Sequence, residues 1–138
     1  GFFVFLFIGL CLVFRSIPRA FAVSIVPMSG FLATIGFMGL LGWKVSPVHA
    51  IAFATIAGTG VDNAIVLVLR GWTAEARAAT VDTTLLIVLS MTSLFLCSSF
   101  LVVQTAIVCM IGLIASTATA ILVLPVMPGV GAAKGVNT

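Results

Sequence analysis

The chain has 138 residues, of which 62% are hydrophobic and only 7% charged, with a mean hydropathy of +1.40. A soluble domain is about one-quarter charged, so the composition argues against water as the main solvent and for a lipid bilayer. The formal charge of +3 does not point to nucleic acid, because the cations separate apolar runs and do not alternate with aromatic residues.

A helical span takes about 20 mostly apolar residues, and the charges and breakers cut the chain into runs of close to that length. The predicted spans are residues 2–14, 20–41, 47–69, 81–103 and 105–127. The first is short and begins at Gly1 without a Met or a basic leader region, so the chain is expected to be a fragment that starts inside a helix. Between spans lie Arg15-Ser-Ile-Pro-Arg19, Gly42-Trp-Lys-Val-Ser-Pro47 and Gly71-Trp-Thr73, and Pro125 to Gly129 closes the last. Residues 73–80 are too short to cross and are expected to form a brief cytoplasmic turn or amphipathic stretch. The fold expected is therefore an all-α integral membrane bundle of five transmembrane helices over residues 1–128, followed by a disordered cytoplasmic tail, 129–138, rich in Gly and small residues.

Five spans that start outside place Arg15, Arg19, Arg70, Arg77 and Lys134 on one side and Lys44 alone on the other. The side with five cations is expected to be cytoplasmic, and with it the C-terminus, in a multi-pass protein of the inner or plasma membrane. Trp43 and Trp72 then fall at opposite interfaces, as an aromatic belt has them.

Asp62 stands about 15 residues into the third span, a few Å from the midplane at 1.5 Å per residue. An ionised carboxylate there costs several kcal/mol unless hydrated or paired, and protonation is the cheaper route. That makes Asp62 the candidate proton relay; the alternative is a permanently protonated side chain bonding a neighbouring helix. Ala50, Ala54, Gly58 and Asp62 recur every fourth residue, forming a small-residue stripe along which another helix can approach, so Asp62 is expected to face protein or water. Gly58 and Gly60 leave room beside it. Its possible polar partners within the chain are all neutral: Asn63, Thr83, Thr84, Ser90, Thr92 and Ser93. A complete relay needs a counterpart from outside the chain.

Elsewhere the bland readings prevail. Gly112, Ser116 and Ala120 repeat the four-residue spacing as a packing face, and His49 is expected at the interface with its ring among headgroups. Glu75 with Arg77 reads as a solvated pair, and Asp82 as a carboxylate at a helix start. Cys11, Cys97 and Cys109 form neither a disulfide framework nor a metal site. No phosphate-cradling loop, metal spacing or nucleophile-and-base set is present, so neither an enzyme nor a cofactor is expected.

The string Gly58-Thr-Gly-Val-Asp62-Asn-Ala64, closing at Arg70, resembles the fourth-helix motif of the resistance-nodulation-division transporter superfamily. It is nearest to the mycobacterial-large-membrane-protein (MMPL) and Patched-like branch, in which Gly-x-Gly-Val-Asp-Tyr-Ala is typical. Phe14-Arg15-Ser16, Gly36 to Gly42 and Leu124-Pro125 fall where that family has its other landmarks, and the similarity runs over roughly residues 2–128. The resemblance implies that these are helices two to six of one six-helix half. It further implies proton-driven export of hydrophobic or lipid-like substrates with Asp62 as the relay, and as partners the bilayer, the other half of the transporter and possible further copies of the chain. Asn63 stands where the family has Tyr or a second Asp. The same superfamily also implies two rivals: a non-transporting sterol- or lipid-sensing membrane module, and a translocation-assisting subunit.

Overall fold

All regular elements in the computed structural model, which describes residues 1–15 and 17–126, are helical. They are α1 (Phe2–Phe14), α2 (Ile17–Leu40), α3 (His49–Arg70), α4 (Ala74–Thr92) and α5 (Phe100–Leu122), with short 3₁₀ turns at Ser93–Leu96 and Leu124–Val126. Four stretches are long and apolar enough to cross a membrane: Ile17–Leu40, His49–Arg70, Ala74–Leu96 and Phe100–Val126. The 13 residues of α1 rise only about 20 Å and fall short of a bilayer core. The five predicted spans are thus four spanning-length helices and one short one.

The ends of α2 and α3 follow from local chemistry. At the end of α2, Gly42 takes φ 66°, its N–H reaches the Gly39 carbonyl at 3.2 Å, and the Trp43 N–H reaches the Met38 carbonyl at 2.9 Å. This is a Schellman stop, which needs the left-handed conformation that glycine adopts without a Cβ penalty. Gly71, φ 71°, ends α3.

The last two helices differ from expectation. The separate turn or amphipathic stretch expected at residues 73–80 is continuous with the next span, as the start of α4: Thr73 accepts a hydrogen bond from the Ala76 N–H at 3.2 Å, and the following Ala-Glu-Ala-Arg-Ala-Ala run has high helix propensity. The predicted span 81–103 therefore begins and ends too late. The chain reverses at Cys97-Ser98-Ser99, and α5 starts at Phe100 with Gln104 buried inside it. Hydropathy barely marks this turn. Backbone hydrogen bonds frame it: the Cys97 N–H donates to the Leu94 carbonyl at 3.0 Å, and the Val102 and Val103 N–H groups donate to the Ser99 carbonyl at 3.1 and 3.2 Å. The predicted tail at 129–138 lies outside the described residues.

Helices α2, α3 and α5 pack pairwise as the centre of the bundle; α1 lies against α2, and α4 packs mainly on α5 with a looser contact to α3. Two apolar clusters hold the ends. One joins Leu10, Val23, Val26, Leu67, Ala120 and Leu124, with Trp72 against it; the other joins Met38, Ala52, Ile56, Val108 and Leu113, with Trp43 against it. The two tryptophans thus sit at opposite ends, and Arg15, Arg19, Arg70 and Arg77 share the end of the first cluster.

Between the clusters the helices touch through small residues. A Cβ on Gly30 would stand 2.8 Å from the Gly112 carbonyl, and one on Gly112 would collide with Ile56 and Thr34. Gly112, Ser116 and Ala120 are all buried along α5. In lipid, where apolar side chains gain little by leaving their surroundings, this close approach is what makes dispersion contact count.

Candidate functional site

Helix α3 carries two faces of different character. His49, Ala52, Ile56, Gly60, Asn63 and Leu67 recur at three- and four-residue intervals and are buried. Ala50, Ala54, Gly58 and Asp62 form the opposite stripe, and all four are exposed. The four-residue spacing read from the sequence is real as geometry. The stripe, however, lies on the outside of this bundle.

Asp62 is about 4 Å past the middle of α3 towards Arg70, at 1.5 Å per residue. No hydrogen bond or ion pair among the described residues reaches its carboxylate. Of the two surroundings expected, protein or water, protein is not found among the described residues: Asp62 is exposed, none of the described elements covers it, and a Cβ built on Gly58 finds nothing within 4 Å. The reason is angular. Successive helix positions are turned by about 100°, so when Asn63 points inward Asp62 must point away.

Asn63 takes the interior place. It is 5% exposed, and its Nδ2 donates to Thr84 Oγ1 at 3.3 Å. The Thr84 hydroxyl lies 2.8 Å from Thr117 Oγ1 and bonds the Thr80 carbonyl at 3.0 Å. Beside this triad, Asn63, Val66, Arg70, Ala79, Thr80 and Thr83 line a cleft of about 170 Å³ between α3 and α4. A cleft of that size holds roughly five waters. Val66 is one turn from Asp62 on the same helix, so the cleft comes within one residue of the carboxylate's stripe.

Of the other candidates, Gly60 is buried, with a Cβ position 3.3 Å from Pro27 of α2, and serves close packing. Thr92 and Ser93 are not brought to Asp62. They are exposed and bond the carbonyls of Val88 and Ser90 in their own segment. With Thr84 level with Asn63, Thr92 lies about 12 Å further along α4. Thr83 is exposed and bonds the Ala79 carbonyl.

His49 is not an interfacial ring. It is fully buried at the start of α3, its Nδ1 accepts the Ser46 N–H at 3.0 Å, and its Nε2 has no partner. Asp82, expected at a helix start, lies two turns inside α4 because the helix begins at Ala74. Among the described residues no group of three metal-ligating side chains comes together.

The sequence reading overlooked Thr117 and Thr34. Thr117 completes the buried triad, and Thr34 Oγ1 is enclosed without a partner beside Gly112. Thr34 is a hydroxyl inside an otherwise apolar run, which was the available signal, whereas Thr117 stands among Ser116 and Thr119 and nothing in the sequence singles it out. Comparison with family models, with curated proteins and with solved structures finds no match.

Proposed function

We propose that the chain is one membrane-embedded half of a proton-driven exporter of hydrophobic or lipid-like substrates, related to the MMPL and Patched-like transporters, with Asp62 as the proton carrier. The observation that carries this reading is a carboxylate near the middle of a spanning helix, at the end of an exposed stripe of small residues. An acidic side chain at that depth is stable only when protonated, hydrated or paired. Pairing is expected from outside the chain, because none of the described residues reaches Asp62. A second half of the transporter, lying along Ala50, Ala54 and Gly58, supplies such a surface, and small residues let its backbone come close.

Protonated, Asp62 tolerates an apolar surrounding; ionised, it demands a donor or water. Alternation between these states, driven by a proton gradient, favours different packings of the two halves and so moves a substrate. The protein then resides in the inner or plasma membrane with its C-terminus and the Arg-rich end in the cytoplasm.

The test is Asp62→Asn in the intact protein. Export should be lost while insertion and helix content stay unchanged, and Asp62→Glu should retain part of the activity. Undiminished export by Asp62→Asn ends the proposal. Substrate flux that survives collapse of the proton gradient favours the lipid-sensing reading instead.

A further inference from the structure

Helix α4 is the least covered of the spanning helices. Ala76, Thr80 and Thr84 are its buried residues, and they form one seam at four-residue spacing against the bundle. On another face, an open groove of about 450 Å³ is lined by Ala74, Arg77, Ala78, Val81 and Asp82, with Ile121 of α5 as its second wall. Arg77 and Asp82 are exposed, and neither has an ion-pair partner among the described residues.

The groove has a heptad register. Written with Ala74 at d, the a and d positions are Ala78, Val81, Leu85, Val88 and Thr92, all exposed or half-buried. Arg77 then occupies g and Asp82 the following e. In a parallel helix pair, the ion pairs flanking the seam join g of one helix to the next e of its partner, five residues on. Arg77 and Asp82 are five apart and opposite in charge.

We infer that α4 is the contact of a two-fold dimer with a second copy of this chain, in which Arg77 of each copy pairs with Asp82 of the other. A two-fold axis along the membrane normal keeps both copies in the same orientation and makes the two ion pairs equivalent, since residue i meets j and j meets i. Ala74 and Ala78 allow close backbone approach at the charged end, while Val81, Leu85 and Val88 fill the seam beyond it. The arrangement also removes the cost of leaving Asp82, two turns inside α4, without a partner. Nothing in it depends on the role of Asp62.

The experiment uses the intact protein in lipid vesicles, with Cys11, Cys97 and Cys109 replaced by Ser. Under a mild oxidant, Ala78→Cys and Leu85→Cys should form disulfide-linked dimers, and Thr83→Cys should not. Separately, R77D and D82R should each weaken dimerisation, read by energy transfer between labelled copies, by about ten-fold. The R77D/D82R exchange should restore it to within about two-fold of the parent. Arg77→Gln and Asp82→Asn, milder changes that keep the helix, should weaken it in the same direction. Absence of cross-links at both seam positions overturns the proposal. So does an exchange variant no better than its single parents, or a groove covered by lipid or by another chain in a protein that stays monomeric.

Discussion

The Asn63 amide donates to the Thr84 hydroxyl across 3.3 Å, and through Thr84 the contact extends to Thr117 at 2.8 Å. One polar group from each of α3, α4 and α5 therefore meets at a single depth. Since α4 touches α3 only loosely, this contact sets their register. Asn63→Ala should cost about 1 kcal/mol, and the cycle with Thr84→Ala should show a coupling of about 0.6 kcal/mol. Reversible unfolding in mixed micelles measures both. Strict additivity means that the pair contributes nothing.

At Gly112 the objection to a side chain is steric. An added methyl meets Ile56 and Thr34, so Gly112→Ala should destabilise by about 2 kcal/mol. Trimming the obstacle with Ile56→Val should recover part of that loss, although Ile56→Val alone is destabilising. Gly58→Ala, where the space is open, should change stability of the isolated chain by no more than about 0.5 kcal/mol. Equal losses at Gly58 and Gly112 would contradict the packing described.

Thr73 caps α4 through the Ala76 N–H. Thr73→Ala should cost about 1 kcal/mol and accelerate amide hydrogen exchange in residues 74–78. If those amides exchange freely in the parent chain, the helix begins later than Ala74.

The reversal between α4 and α5 is tested by thiol chemistry. Cys97 is exposed in the turn, and Cys109 is buried within α5. A membrane-impermeant maleimide should modify Cys97 from the side opposite Arg70 and leave Cys109 unmodified. In a Cys97→Ser background, Val103→Cys should also be protected. Reaction at position 103 but not at 97 would place the turn where the hydropathy pattern alone had put it.

Much of this architecture is written into the residue order. The scarcity of charge dictates a membrane solvent, and α2 and α3 lie within three residues of their predicted bounds because Gly42, Pro47 and Gly71 interrupt the helix by backbone geometry. The bounds of α4 and α5 were obscured because hydropathy reports transfer to lipid and not hydrogen bonding. Ala74 to Ala79 is helical without being strongly apolar, and Cys97-Ser98-Ser99 turns without being strongly polar.

The periodicity of α3 by itself established that Asp62 shares a face with Ala50, Ala54 and Gly58. Only the packing of α2, α4 and α5 decided that this face lies outside and that Asn63 looks in. A helix fixes the angle between neighbouring side chains, but its rotation about its own axis is set by the helices it packs against. Here Gly60 against Pro27 and Asn63 against Thr84 set that rotation.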